Sequence, residues 1–410
     1  TLYLSLSFAA DFADLFEIRG IARARRGTLK VERQGDGDVC FRYMGLDHVE
    51  RRTQIHFSPA PSRLTETEAQ FALELAAGQQ IALVVTIGCV QGRAAGKTFS
   101  QPYRAARRAA ARGASLGGRV SSTDALANRM LHRSSADLTM LITETGQGPY
   151  PYAGTPWFST PFGRDGLITA LEMLWIDPAV ARGVLKFLAA TQAQARDPGA
   201  DAEPGKIIHE MRRCEMAALG EVPFGRYYGS IDSTPLFVLL AARYFDRTGD
   251  LKTIRGLWPN IQAALAWIDN YGDRDGDGFV EYYRESENGL TNQGWKDSQD
   301  SIFHADGRLA PGAIALAEVQ AYVYAAKQGA ARLARMLGQE AYAGALSDAA
   351  EVLRRRFEEK FWCEDIGMYA IALDGDKRPC RVRTSNAGQV LFCDIAAPER
   401  AARVAQALMT

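Results

Sequence analysis

Over the first hundred positions apolar residues alternate with polar ones or run in short blocks, and after position 122 they recur at intervals of three and four. That change of period divides the chain. Leu2 to Phe8, Val39 to Tyr43, Gln54 to Phe57 and Ile81 to Cys89 read as strands separated by Gly, Asp and Pro clusters, with GDGD at 35–38 as a hairpin turn. A β-sandwich is the economical arrangement for such strands. Nine later stretches carry the helical period: 124–142, 165–176, 178–192, 206–217, 232–247, 251–270, 312–337, 341–360 and 399–409, with a tenth at 385–394. Between the two regions Arg104 to Arg119 is rich in Ala, Arg and Gly and reads as a connector whose arginines form a solvated face. The predicted organisation is a β-sandwich-like domain over 1–102, a linker over 103–123 and a helical domain over 124–410, mainly α in all.

Helix pairs joined by long loops either stack as a solenoid or wrap as a toroid. A solenoid repeats its sequence every ~33–47 residues, and no such period is visible. An (α/α)6 toroid with a site at one mouth is therefore expected.

The 48 Lys and Arg balance 48 Asp and Glu, so the net charge is zero and a nucleic-acid partner is not expected. Hydrophobic residues make up 47% of the 410, enough for a large core. No run of eighteen apolar residues occurs, so no helix is predicted to span a membrane. The opening TLYLSLSF lacks a charged n-region or cleavage site and reads as the interior of a strand, as though cropped. Six cysteines lie far apart without ligand-like spacing, which predicts reduced thiols and a cytoplasmic protein.

The densest chemistry is Asn292-Gln293-Gly294-Trp295-Lys296-Asp297-Ser298-Gln299-Asp300. An indole offers a platform for a sugar face, an amide forks onto vicinal hydroxyls, and a carboxyl beside an aromatic ring can be tuned as a general acid. The competing reading is a helix start capped by Asp297, Ser298 or Asp300. A second cluster, Trp157 to Asp165, includes Phe162 and places Arg164 and Asp165 at a helix start, where one donates to and one accepts from neighbouring hydroxyls; an N-cap Asp with a structural Arg fits equally. Tyr228 and Asp232 stand in a third segment that again ends in a carboxylate at a helix start. His209 and Glu210 are not a zinc motif, because HExxH needs His where Arg213 stands. No GxGxxG, Walker loop or GxSxG elbow follows a strand.

Asp273, Asp275, Asp277, Phe279 (through its carbonyl) and Glu281 occupy positions 1, 3, 5, 7 and 9 of a calcium loop with Gly278 at position 6, whereas position 12 is Arg284. Turn formation by Asp-Gly repeats accounts for the same spacing. A structural calcium ion is one expectation, and no other cofactor is required.

DFADLFEIRG (11–20), GTPWFSTPFGRDGLITAL (154–171), YYGSIDSTPLFV (227–238), DGDGFVEY (275–282) and GLTNQGWKDSQDSI (289–302) together resemble bacterial glycogen-debranching-type amylo-α-1,6-glucosidases, from end to end and in family order. The resemblance implies an N-terminal β-sandwich, a catalytic (α/α)6 toroid and inverting hydrolysis of an α-glucan or oligosaccharide. Carried over by motif, it makes Asp297 the general acid, Trp295 a sugar platform, Lys296 a substrate-binding neighbour, and Arg164 with Asp165 the hydroxyl contacts. It also makes Tyr228 and Asp232 substrate-lining residues. Trp157, Phe162, His209, Glu210 and Gln293 are weaker members, with Glu285 and Glu318 as reserve acids. Relatives continue with a stretch carrying the second catalytic group beyond the equivalent of Met409, so the base is expected outside these residues and the 410-residue chain alone is open to being inactive. The sequence leaves three alternatives standing: another α-glucoside linkage, a non-catalytic carbohydrate-binding remnant, and a helical scaffold for protein partners. It is silent on oligomeric state.

Overall fold

The computed structural model describes residues 1–90, 104, 107 and 120–409. The chain divides into two compact units, Thr1–Gly113 with Arg213–Val222 and Ala114–Arg212 with Pro223–Thr410. The linker expected over 103–123 falls largely outside the described residues.

In the first unit β1 (Leu2–Ser7), β2 (Thr28–Gln34), β3 (Asp38–Met44), β4 (Glu50–Ser58), β5 (Arg63–Leu64), β6 (Glu68–Leu73) and β7 (Val84–Val90) form two antiparallel sheets, ordered β2-β3-β4-β7 and β1-β6-β5. The β2–β3 turn falls on the predicted Gly-Asp stretch, with Gly35 at φ 73°, a conformation that a side chain disfavours. Val39 and Phe41 of β3, Ile55 and Phe57 of β4, Leu64 of β5, and Ala69 and Phe71 of β6 meet in one buried cluster. Alternate residues of both sheets thus build a single core, which is what defines a sandwich. Burial of each large side chain contributes roughly 1.5–3 kcal/mol.

Residues 213–222 belong to this unit although they are far along the chain. Their short helix, Glu215–Ala218, sets the Glu215 carboxylate among Arg23 Nη2 at 3.1 Å, Tyr43 Oη at 2.9 Å and the Leu46 N–H at 2.7 Å. Asp14 uses one carboxylate oxygen to cap the Leu15–Ile18 helix through the Phe16 N–H and the other to accept from Met216 N–H at 3.0 Å.

The second unit is built of helices in two layers. Gly163–Met173, Ser233–Thr248, Ala317–Met336 and Asn386–Phe392 contact one another in turn and form the inner layer; each is followed in sequence by an outer helix, Pro178–Thr191, Leu251–Trp267, Glu340–Lys360 and Pro398–Met409. This alternation is the (α/α) toroid architecture. The central inner helices are buried nearly all round, as in the Thr234–Ala242 run, while the outer Glu340–Lys360 helix is buried on one stripe only. The inner Ala317–Met336 helix is Ala-rich where it meets its neighbour, and at Gly329 an added Cβ would come within 2.6 Å of Ala242 Cβ. The Ala125–Leu141 helix, capped by Asp124, has no buried residue and leads into a hairpin, Ile142–Thr145 with Gly148–Pro151.

The helix expected over 206–217 is not present. Residues 207–212 are extended, and only Glu215–Ala218 is helical. Ile207 to Arg212 are buried consecutively, so no solvent face exists to reward helical periodicity. Backbone partners lie on both sides instead, at Phe162 and Tyr227. None of the helices among the described residues is long and apolar enough to cross a membrane.

Candidate active site

The first turns of the four inner helices each carry a polar side chain: Arg164 and Asp165, Asp232 at the start of Ser233–Thr248, Glu318, and Asn386. Free N–H groups and the helix dipole favour carboxylates there. Arg164, almost wholly buried, donates from Nη1 to Asp232 Oδ2 at 2.9 Å, and its Nη2 lies 3.6 Å from Asp297 Oδ2. Burial alone would lower the Arg164 pKa, but Asp232 outweighs it and the group is held above its ordinary value. Asp232 has no solvent exposure; its second oxygen accepts from Ser230 Oγ at 2.6 Å. Its side chain makes no capping bond to the helix it precedes. Asp165 likewise sits inside the first turn rather than at the cap, reaches solvent, and is raised by desolvation against the pull of Arg164.

No helix follows Asp297, so capping does not account for it. Its loop is strapped from both ends. Asn292 accepts from Tyr282 Oη at 2.5 Å and donates to Ser298 O at 2.6 Å, while Ser301 Oγ donates to Lys296 O at 2.5 Å. Ile231 N–H donates to Gln293 O at 2.9 Å, tying the loop to the Asp232 segment. Gly294 presses on the start of the Ala317–Met336 helix, where an added Cβ would lie 2.2 Å from Leu316 Cδ1 and 3.7 Å from Glu318 Oε1. The Asp297 side chain is 48% exposed. Trp295 is also exposed, with Lys296 Nζ 5.5 Å above its ring.

The extended 207–212 segment forms a wall beside this group. Gly163 N–H donates to His209 O at 2.8 Å and His209 N–H to Tyr227 O at 2.7 Å, and a Cβ on Gly163 would strike Ile208 O at 2.0 Å. The His209 ring lies edge-on to Phe162 and Tyr227, with Nδ1 unpartnered. Burial and the nearby arginines hold its pKa well below the ordinary value, so it is neutral. Glu210 pairs with Arg212 Nε at 2.5 Å, and Arg212 Nη1 reaches Trp157 O at 3.1 Å. Tyr228 commits its hydroxyl to Thr191 O at 2.7 Å and is buried in the helical core.

The structure thus brings Arg164, Asp165, Asp232 and Asp297 into one electrostatic group, places Trp295 and Lys296 beside it, and sets Trp157, Phe162, His209 and Glu210 along the wall. Gln293 turns toward Asp201 instead, with Nε2 3.5 Å from Oδ2. Glu285 is an ion-pair residue bound to Arg196 and Arg274, each at 3.0 Å. Glu318 is fully buried, both oxygens lack partners, and desolvation raises its pKa to about 7, with Asn386 and Lys296 opposing and Asp232 adding to the shift.

Two residues escaped the sequence reading. Asn386 has an unpartnered Nδ2 and no motif around it. Asp201, in left-handed backbone at φ 50°, accepts from Tyr227 Oη, Glu285 N–H and Ser286 N–H at 2.7–2.9 Å and so organises the loop before the site. Only an Asp in an otherwise small-residue turn hinted at it. The loop carboxylates Asp273, Asp275 and Asp277 come together, each offering an oxygen within 4.8 Å of the others. The Phe279 N–H is spent on Asp277 Oδ1.

Residues 164–410, more than half of the chain, match the mannosylglycerate hydrolase MGH1-like glycoside hydrolase domain. The chain belongs to this family. Residues 1–86 match the N-terminal domain of some glycogen debranching enzymes, so the likeness to debranching proteins rests on the sandwich and the glycosidase likeness on the helical unit. No curated protein matches the chain. Among solved structures, a rhamnosidase of Bacillus sp. GL1 is 14% identical with a TM-score of 0.54, over 93% of this chain and 38% of that one. A rhamnosidase from Klebsiella oxytoca with rhamnose bound is 13% identical with a TM-score of 0.53, over 99% of this chain and 65% of that one. At such identity these two show the shared fold alone, and this chain spans less than two thirds of either.

Proposed function

We propose that the helical unit is the catalytic part of an inverting glycosidase that removes terminal α-linked glucose, α-1,6-linked in glycogen-like or short α-glucans, with Asp297 as the general acid. The observation that carries the reading is the Asp232–Arg164–Asp297 chain: a buried carboxylate fixes a guanidinium, and the guanidinium stands 3.6 Å from a solvent-reachable carboxyl that caps nothing. In the reaction Asp297 gives its proton to the glycosidic oxygen as the bond to the anomeric carbon breaks, and a water attacks that carbon from the opposite face, giving its proton to a general base. Asp165 accepts from, and Arg164 donates to, hydroxyls of the terminal sugar, and Trp295 supports its apolar face. As Asp297 gives up its proton it joins Asp165 and Asp232 as a third carboxylate against Arg164 and Lys296, so negative charge grows in step with the positive charge developing on the sugar ring. The family match supports glycoside hydrolysis, and the sandwich match supports glucan debranching as its setting.

Proton NMR of the sugar released from a branched limit dextrin and from isomaltose tests this, with the full-length protein that contains these residues as wild type and its Asp297→Asn variant side by side. The expected result is β-glucose first from wild type and none from the variant. Release of α-glucose first overturns inversion, turnover by Asp297→Asn removes that residue from the acid role, and no glucose from either substrate overturns the α-1,6 assignment.

A further inference from the structure

The acidic loop at 273–281 has the ligand spacing of a calcium site, and its three aspartate oxygens lie as close together as the ligands of one ion do, since contacts of ~2.4 Å span at most ~4.8 Å. Asp273 spends Oδ2 on the Gly278 N–H at 2.9 Å and leaves Oδ1 without a partner, whereas the other two aspartates already hold a cation. Lys377 Nζ lies 2.9 Å from Asp275 Oδ2, 3.0 Å from Asp277 Oδ2 and 2.5 Å from Glu281 Oε2. An ammonium has three N–H donors, and here each has one carboxylate. We infer that this loop is a cation seat filled by the chain's own Lys377, and that the protein holds the loop without calcium.

Three further features fit a built arrangement. Lys377 stands at φ 60° in a turn held from inside by Asp374, which accepts from the Asp376 and Arg378 N–H groups through one oxygen and binds Arg378 Nε and His304 Nε2 through the other. The ammonium is therefore presented by a fixed turn rather than a free side chain. Arg356 Nη1 donates to Asp277 O at 2.7 Å and fills the space against Gly278, where a Cβ would meet it at 2.2 Å; a second cation thus closes the loop from the other side. Position 12, where a calcium loop supplies its bidentate Glu, is Arg284, and Glu281 at position 9 is spent on Lys377.

A lysine in place of an ion has a functional reason. Val280 exchanges both backbone groups with the Gln320 amide, and Tyr282, two residues on, binds Asn292 at the root of the Asp297 loop. The seat anchors that segment from its N-terminal side. An ion supplied by the chain cannot be chelated away.

The test is thermal unfolding in millimolar CaCl2 and in EDTA, with terbium luminescence as a direct probe, on wild type, Lys377→Met and Lys377→Arg. Wild type and Lys377→Arg are expected to melt alike in both buffers and to bind no terbium. Lys377→Met is expected to be destabilised in EDTA, to recover on calcium and to gain terbium luminescence. Calcium-dependent melting of wild type overturns the inference whatever the variants do, and a Lys377→Met protein indifferent to both metals overturns it by showing that the loop is no cation seat.

Discussion

Replacing Glu318 by Gln removes a buried ionisation while keeping the size and shape of the side chain. In the folded chain desolvation raises the carboxyl from 4.5 to about 7. Below the lower value both states are protonated and the group costs nothing. Between the two values the unfolded chain ionises while the folded chain holds its proton, so folding stability falls as pH rises, by ~1.4 kcal/mol for each pH unit. Above the higher value both states are ionised and the loss levels off at roughly 3 kcal/mol. Gln titrates in neither state. Relative to wild type, Glu318→Gln should therefore gain about 2 kcal/mol near pH 6 and about 3 kcal/mol near pH 8, with no gain near pH 4. Urea titrations followed by tryptophan fluorescence measure this cleanly, because all six tryptophans lie in the helical unit. A stability difference between the two proteins that stays constant from about pH 5 to about pH 8 refutes the reasoning.

Arg164→Met leaves the Asp232 carboxylate buried without its cation and should cost ~3–5 kcal/mol in urea unfolding, with Asp232→Asn added to it recovering part of the loss. Gly294→Ala drives a methyl group into Leu316 and should cost ~1–3 kcal/mol while lowering sugar affinity; Leu316→Ala in the same chain should restore stability in the same titration. Asp297→Asn, at a half-exposed position, should change stability by less than ~0.5 kcal/mol while abolishing glucose release, so that a melting curve separates lost chemistry from lost fold. Glu215→Ala removes the acceptor of Arg23, Tyr43 and the Leu46 N–H and should destabilise the sandwich by ~1–3 kcal/mol, read from hydrogen exchange of the β3 and β4 amides.

The sandwich and most helices were legible because their burial is one-sided. Ile55 and Phe57 alternate with the more open Gln54, His56 and Ser58, and outer helices such as Glu340–Lys360 bury Ala343, Leu346, Ala350, Leu353 and Phe357 on one stripe. The 207–212 strap was misread because it is buried on every side, where apolar spacing carries no period. Arg164, Asp165 and Asp297 stood out through compact local motifs. Glu318 was only a reserve acid and Asn386 was missed, since what relates them to Arg164 and Asp232 is their shared place at the start of an inner helix, and residues 164, 232, 318 and 386 meet only through the two-layer winding of the chain. Lys377 was invisible for the same reason. Nothing in the spacing of an acidic loop announces a cation almost a hundred residues downstream.

The placement of Arg213–Val222 bears on how the molecule is made and cut. The chain leaves the helical unit after Arg212, supplies Glu215 and Met216 to the sandwich, and resumes at Pro223, next to which the Phe224 carbonyl accepts from the Arg212 N–H at 2.9 Å. A ribosome that has finished the last sandwich strand has therefore not finished the sandwich: Arg23, Tyr43 and Asp14 wait for an acid and an amide translated more than a hundred codons later, after the first two inner- and outer-layer helices have emerged. No single cut in the chain releases a complete N-terminal unit. An expression fragment ending near residue 113 lacks the Glu215 carboxylate, and a designer who wants the sandwich alone has to graft the 213–222 decapeptide back onto it.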